Sequence, residues 1–99
     1  MELSLDIKLT SLVERCVQGD TDGFRLLYDH YSKAMYNTAL RIVNNTADAE
    51  DILQESFSDA FRSLDSFKHN ATFGAWLKRI VINKSINKVK RDRKKWGIM

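Results

Sequence analysis

The chain has 99 residues, of which 43% are hydrophobic and 10% aromatic, a composition that predicts one small folded domain and excludes a disordered tail. Its single cysteine excludes an intramolecular disulfide, and no run approaches the ~20 apolar residues of a membrane-spanning helix, so we predict a cytoplasmic protein without membrane insertion. The net charge of +3 divides into −6 over residues 1–65 and +9 over residues 66–99, which predicts two partners of opposite charge.

Four stretches repeat apolar residues at steps of three and four, which predicts an all-α fold. Cys16 belongs to the apolar stripe of the first stretch and is predicted to be buried, and Gly19 is a natural helix stop. Residues 44–46 break the second stretch, and Thr46 or Asn45 can cap the next helix. Residues 65–71 show no period and predict a loop, and Thr72 is a good N-cap. The helices are predicted over residues 7–18, 22–43, 47–64 and 72 to 91 or beyond. Residues 90–95 are predicted to be a polar tail that frays or leads into a linker.

The third predicted helix has two different faces. Its apolar residues form an inward stripe of Ala49, Ile52, Leu53, Ser56, Phe57, Ala60, Phe61 and Leu64. Asp51, Gln54 and Glu55 stand at i, i+3 and i+4 and therefore share one outward turn. Asp48, Glu50 and Asp59 add negative charge to the same helix, against one cation, Arg62. This bunching of one sign favours a docking surface for a basic helix over an ordinary solvated face.

A metal site built from Asp48, Asp51 and Glu55 is the chemical alternative, because hard cations prefer carboxylate oxygens. No second carboxylate cluster faces these residues, and His30 and His69 stand alone, so no metal site is predicted. The chain also has no glycine-rich phosphate loop, no paired cysteine or histidine ligands, and no serine in a nucleophile setting. We therefore predict no enzymatic activity, no catalytic residue and no cofactor.

Aromatic and basic residues alternate through the loop and the start of the fourth helix. The aromatic members are Phe67, Phe73 and Trp76, and the basic members are Lys68, Lys78, Arg79 and Lys84. Aromatic faces stack unpaired bases and cations follow phosphates, so this segment indicates binding of single-stranded nucleic acid. The alternative is that these rings belong to the core. That alternative is favoured for Phe73 and is equally balanced for Trp76.

Asparagine is placed where it suits recognition of a polar partner. Asn70 and Asn83 carry amides that both donate and accept, as the reading of base edges requires. Asn83 and Asn87 lie four residues apart in a helix, although asparagine is a poor helix former. Two amides on one face indicate a phosphate or base as partner, and internal hydrogen bonding is the alternative.

Three segments together resemble the second conserved region of an extracytoplasmic-function bacterial sigma factor, the domain that binds the promoter −10 element. The opening pattern of that family is similar to residues 17–20 followed by Phe24, Leu27, Tyr28 and Tyr31. Residues 49–57, Ala-Glu-Asp-Ile-Leu-Gln-Glu-Ser-Phe, resemble its polymerase-docking signature. Residues 64–67, with Phe73, Trp76, Leu77, Arg79, Ile80, Asn83 and Asn87, resemble its −10 recognition segment. The resemblance covers residues 8–91.

The resemblance implies a compact four-helix bundle over residues 1–93 that acts in transcription initiation. It implies that Asp48, Asp51, Gln54 and Glu55 contact the clamp helices of the largest subunit of core RNA polymerase. It implies further that promoter DNA, unpaired on the non-template strand of the −10 region, is bound by two sets of residues. Phe67, Lys68, His69 and Asn70 would form a loop that captures a flipped base, and Trp76, Arg79, Asn83 and Asn87 would line the junction where the duplex opens.

Three cations complete this predicted DNA surface. Lys84, Lys88 and Arg91 are the candidates for phosphate contacts, which add affinity without sequence information.

An anti-sigma factor that covers the docking surface is a further partner implied by the resemblance. Members of the family carry a second, −35-reading domain, so residues 94–99 are interpreted as the start of a linker at a truncation point. A protein-only adaptor, joining two proteins through its acidic and basic faces, is the rival hypothesis.

Overall fold

The computed structural model describes residues 2–68 and 71–95. In these two segments the chain forms four α-helices and one 3-10 turn, at Leu64–Ser66, and no strand. The helices are α1 (Glu2–Val17), α2 (Thr21–Val43), α3 (Thr46–Arg62) and α4 (Phe73–Lys95). This arrangement confirms the predicted all-α fold. No helix in the described segments is long and apolar enough to cross a membrane.

The ends of the helices are set by short polar side chains and by left-handed backbone. The side chain of Asp20 accepts a hydrogen bond from the N–H of Asp22 at 3.0 Å and caps α2. Gly19 has a φ of 90° and Asn44 a φ of 53°, values that end α1 and α2 at residues suited to a left-handed conformation. Asn45 caps α3 through the N–H of Asp48, as its sequence position suggested.

The end of α3 differs from its predicted position, while the predicted N-cap of α4 is confirmed. Thr72 Oγ1 accepts from the N–H of Ala75 at 3.1 Å, which confirms Thr72 as the cap of α4. The third helix ends at Arg62, two residues earlier than predicted, because Ser63 Oγ donates to the carbonyl of Asp59 at 2.6 Å and the chain tightens into the 3-10 turn. The fourth helix continues beyond residue 91 to Lys95, so the predicted polar tail is helical. The proposed domain limit at residue 93 stays a prediction.

The helix α2 lies at the centre of the bundle and packs against α1, α3 and α4, while α3 and α4 also pack against each other. Cys16 is 3% exposed, which confirms that it is buried. Burial, followed by the negative charge of Asp20, raises the pKa of the Cys16 thiol. The buried apolar core consists of Val13, Cys16, Leu27, Met35, Ala39, Ala49, Ile52, Leu53, Phe57, Ala60, Leu64, Phe67, Phe73, Leu77 and Val81.

Two glycines allow the helices to approach closely. A Cβ atom at Gly74, in the first turn of α4, would lie 2.8 Å from Cε1 of Tyr31 on α2. A Cβ atom at Gly23 would lie 2.9 Å from Sγ of Cys16 on α1. Larger side chains at either position would push α4 or α1 away from α2. Gly74 therefore fixes where the predicted nucleic-acid segment sits on the bundle.

Candidate nucleic-acid interface and docking patch

The acidic patch consists of Asp51, Gln54 and Glu55, which are all exposed on α3. Gln54 Nε2 donates a hydrogen bond to the hydroxyl of Tyr28 at 3.3 Å. The ring of Tyr28 in turn lies against the buried ring of Phe57, with centroids 4.7 Å apart. Tyr28 thus connects the patch to the core. In the sequence, Tyr28 belongs to the pattern that resembles the family's opening segment, and nothing in the spacing marks its hydroxyl as a contact of Gln54.

Asp48, the fourth residue predicted to bind polymerase, lies at the edge of this patch. It is half-buried, and its carboxylate is 3.9 Å from Nζ of Lys88 on α4. Lys88 also pairs with Asp92 at 3.1 Å, one turn further along α4. Asp48 and Lys88 were predicted to serve opposite partners, but the structure places them against each other across the α3–α4 contact.

A second ion pair crosses the same contact. Lys84 Nζ lies 2.5 Å from Asp59, whose carboxylate is also 3.4 Å from Arg62. The hydrogen bond from Lys84, aided by the nearby positive charges, holds the pKa of Asp59 below its usual range. The side chain of Lys84 is 27% exposed. Lys84 and Lys88 were predicted as free phosphate contacts, and the structure shows that each already neutralises an acid of α3.

The aromatic segment is mostly part of the core. Phe67 is 7% exposed and Phe73 is 4% exposed, and their rings meet edge-on with centroids 5.9 Å apart. Trp76 is half-buried and lies 5.1 Å from Phe67, at the rim of this cluster. The predicted core role of Phe73 is confirmed. The burial of Phe67 contradicts the expectation that its ring is open for stacking, because the 3-10 turn folds it onto the first turns of α4.

The predicted base-capturing loop is described in part. Lys68 is exposed, whereas His69 and Asn70 lie outside the described residues. Beside the loop, a shallow cavity of about 260 Å³ is lined by Ala71, Ala75, Trp76 and Arg79. Trp76 and Arg79 are therefore brought together at one concave site.

The remaining predicted residues of α4 share one line along the helix. Trp76, Arg79, Asn83 and Asn87 follow one another at steps of three, four and four, and Lys90 and Lys94 continue the series at three and four. We call these six residues the outer stripe. Asn83 and Asn87 are exposed, and within the described segments neither side chain has a hydrogen-bond partner. The alternative of internal hydrogen bonding is therefore not seen for this pair.

A groove runs between α3 and the last turns of α4. Its cavity of about 780 Å³ has Ile52 and Glu55 on the α3 side. Arg91, a predicted phosphate contact, lines it and is exposed. The α4 side is formed by Lys84, Asn87, Lys90, Arg91, Arg93 and Lys94. Sequence reasoning treated the last residues of this set as a fraying tail, although the helical spacing that continues through Lys90 and Lys94 was the available signal.

A metal centre receives no support from the part of the chain that the structure describes. No group of three or more histidine, cysteine, aspartate or glutamate side chains there is placed to hold a metal ion.

Comparisons with known proteins identify the family of this chain. The family model described as Sigma-70 region 2 matches residues 27–95. The ECF RNA polymerase sigma factor SigW of Bacillus subtilis is 32% identical over 89 residues, which cover 90% of this chain and 48% of that protein. The ECF RNA polymerase sigma-E factor of Haemophilus influenzae is 40% identical over 77 residues, covering 78% of this chain and 40% of that protein. The chain thus spans less than half the length of these curated relatives.

A solved structure is similar to the whole bundle. It is the NMR structure of an engineered region 2 of sigmaE in complex with GTAAAA. The two chains are 38% identical and superpose with a TM-score of 0.77, covering 87% of this chain and 90% of the other. The fold of the described residues is therefore that of a sigma region 2.

Proposed function

Because this chain belongs to the sigma-70 region 2 family of the extracytoplasmic-function sigma factors, we propose that it docks on core RNA polymerase and opens the promoter −10 element. The observation that carries this proposal is the outer stripe of α4. It is exposed along its length from Arg79, beside a concave site lined by Trp76. The acidic patch lies on α3, where its Glu55 also lines the groove with Asn87 and Arg91 of α4.

Polymerase docking rests on the exposure and charge of the acidic patch. Within the described segments, Asp51 and Glu55 form no ion pair, so both carboxylates are available to a basic partner. Gln54 is oriented by Tyr28. We propose that these residues contact the clamp helices of the largest polymerase subunit. Asp48 would add to the contact only after leaving Lys88.

Recognition of the −10 element rests on the cavity beside the loop. A base flipped from the non-template strand loses a few kcal/mol of stacking and pairing, which a fitting pocket restores through stacking and edge hydrogen bonds. Stacking on an aromatic ring contributes about 1–3 kcal/mol per base. Trp76 is the half-buried aromatic ring that lines this cavity, and the buried ring of Phe67 packs against it. Lys68, His69 and Asn70 stay predicted members of the capturing loop.

The polar residues of α4 divide this task. Asn83 and Asn87 present free amides and are proposed to read base edges near the junction, while Arg79 holds the adjacent strand. Arg91 is proposed to contact a phosphate. Cytoplasmic localisation and an anti-sigma partner that covers the acidic patch remain predictions, and they follow from the proposed role in transcription.

Binding to the single-stranded hexamer GTAAAA and to a scrambled hexamer tests the proposal. We expect Asn83→Ala to weaken binding to GTAAAA by about 1 kcal/mol, roughly fivefold, and to reduce the preference over the scrambled strand. Fluorescence anisotropy measures both affinities. Asn37→Ala, at an exposed asparagine of α2, is the matched control and should change neither.

The rival hypothesis of a protein-only adaptor makes a different prediction for the same assay. An adaptor would show no binding of either hexamer even at low salt. That result, or equal effects of the substitutions at Asn83 and Asn37, would contradict the proposed DNA surface.

A further inference from the structure

Four lysines in the second half of α4, at positions 84, 88, 90 and 94, occupy two different environments. Lys84 and Lys88 lie on the flank that faces α3, where Asp59 and Asp48 pair with them. Lys90 and Lys94 are exposed at the groove between α3 and α4, and in the described segments they form no ion pair. The helix therefore separates lysines that are already neutralised from lysines that carry free charge.

Lys90 and Lys94 extend the proposed DNA surface along α4 toward the C-terminal end of the helix. From Trp76 to Lys94 the outer stripe extends over 18 residues, about 27 Å of helix at 1.5 Å per residue. Duplex DNA presents one phosphate per ~3.4 Å along each strand, so a stripe of this length spans several phosphates beyond a single captured base. Lys90 and Lys94 also line the groove with Arg91 and Arg93, where Glu55 is the one acidic residue among those lining it.

We infer that Lys90 and Lys94 are phosphate-binding residues and that Lys84 is a positioning residue that sets α4 against α3. This inference rests on the proposed function and deepens it. The ion pair between Lys84 and Asp59 holds α4 against α3 and fixes the rotation of α4 about its own axis. That rotation decides whether Asn83 and Asn87, which lie on the outer stripe, point away from the core toward DNA. The ligand class is the phosphodiester backbone of duplex flanking the opened segment.

The salt dependence of DNA binding separates the two roles. The probe is a DNA duplex with an unpaired GTAAAA bubble, and its Kd is measured from 50 to 200 mM salt. Each lost phosphate contact lowers the slope of log K against log salt by about 0.9 for duplex DNA, or about 0.7 for a single strand. We expect Lys90→Gln and Lys94→Gln each to lower the slope by that amount. Lys84→Gln should leave the slope unchanged, as should Lys33→Gln, an exposed lysine of α2 that serves as control.

A charge swap tests the positioning role directly. Asp59→Lys and Lys84→Asp alone should each weaken binding of the bubble duplex, because the ion pair between α3 and α4 is lost and like charges face each other. The double variant Asp59→Lys with Lys84→Asp should restore affinity to within about threefold of the original chain. Thermal unfolding of the same variants shows whether the swap also restores stability.

The outcomes distinguish the inference from the proposed function. If Lys84→Gln lowers the slope as much as Lys90→Gln, or if the stable swap variant stays impaired in DNA binding, Lys84 is a direct phosphate contact and the inference is wrong. An unchanged slope for both Lys90→Gln and Lys94→Gln overturns the phosphate assignment. Failure of the original chain to bind the bubble at 50 mM salt would instead refute the proposed function itself.

Discussion

The helices α3 and α4 each carry one predicted contact surface, and they differ in how much of that surface is free. On α3, Asp51, Gln54 and Glu55 lie opposite the buried stripe, and all three are exposed. On α4, Asn83 and Asn87 are equally free, but Lys84 and Lys88 are paired with acids of α3. The comparison shows that a residue on the far side of a helix stays available, whereas a charged residue on the flank finds a partner on the neighbouring helix.

Reversing the charge of the acidic patch should have the largest effect. Asp51→Arg with Glu55→Arg would place like charges against a basic partner, which costs several kcal/mol. We expect association with core RNA polymerase to weaken at least about 100-fold, the equivalent of about 3 kcal/mol. Co-elution with core polymerase and titration of a labelled chain measure the loss.

A matched pair of substitutions shows whether this effect belongs to the patch. Glu14→Arg with Asp29→Arg makes the same change of net charge at exposed positions on α1 and α2. It should leave assembly within about twofold, since rim charges far from a contact act weakly. Intact assembly of the Asp51 and Glu55 double variant would show that α3 is only a solvated face.

Truncation of Phe67, the buried ring that follows the 3-10 turn, should have the next largest effect, and it should appear as a loss of stability. Phe67→Ala removes a 7% exposed ring packed on Phe73 and Trp76, so we expect a loss of about 3–5 kcal/mol of unfolding free energy. Urea denaturation measures it. Lys68→Ala, at the exposed neighbour, should stay within about 0.5 kcal/mol.

The conservative change Phe67→Leu distinguishes packing from stacking. It keeps an apolar side chain of similar size, so we expect a loss of only about 1–1.5 kcal/mol and DNA affinity close to that of the original chain. A variant that stays folded but loses hexamer binding would show that the ring itself meets a base.

The buried serine of α3, Ser56, and the buried serine of α4, Ser85, differ in whether the hydroxyl group is hydrogen-bonded. Ser85 Oγ donates to the carbonyl of Val81 at 2.8 Å, whereas Ser56 Oγ has no partner in the described segments, although both side chains are fully buried. An unsatisfied buried hydroxyl is unfavourable by about 1–3 kcal/mol. We therefore expect Ser56→Ala to raise the unfolding free energy by about 1 kcal/mol and Ser85→Ala to leave it equal or lower. The reverse order in chemical denaturation would contradict this view of the core.

The smallest predicted effect concerns acid sensitivity of the ion pair that joins α3 to α4. The hydrogen bond from Lys84 lowers the pKa of Asp59 in the folded state below its ordinary value of 3.8. The stabilisation is therefore complete above that ordinary value and is lost as the pH falls through the lower folded-state value. Asp59→Asn should reduce the pH dependence of unfolding free energy in the acid range. A hydrogen bond from Arg15 likewise lowers the pKa of Asp20, so this carboxylate should maintain the pH dependence that remains in the variant.

Identical acid unfolding profiles for the original chain and the Asp59→Asn variant would show that Lys84 does not hold this carboxylate in solution. The same measurement on Lys84→Gln is the complementary control, because it removes the donor and leaves the acid. Both variants should show the same reduced dependence if the pair acts as one unit.

The amino-acid sequence alone determined the helical class, most helix ends and the free residues of both surfaces. Apolar spacing placed Asp51, Gln54 and Glu55 outward on α3, and it placed Asn83 and Asn87 together on α4. Capping by Asn45 and Thr72 was readable because a cap is a contact between near neighbours in the chain. The family resemblance supplied the two partners, which spacing and charge alone left open between DNA and protein.

Only the tertiary structure decided which charged and aromatic residues are available. Lys84 meets Asp59 and Lys88 meets Asp48 because α3 and α4 pack side by side, a contact between residues distant in sequence that no local pattern records. Phe67 turns inward for the same reason, since the 3-10 turn and α4 together form its pocket. Periodicity within one helix identifies the face that leaves the core, but what lies on its flanks depends on how the neighbouring helix is placed.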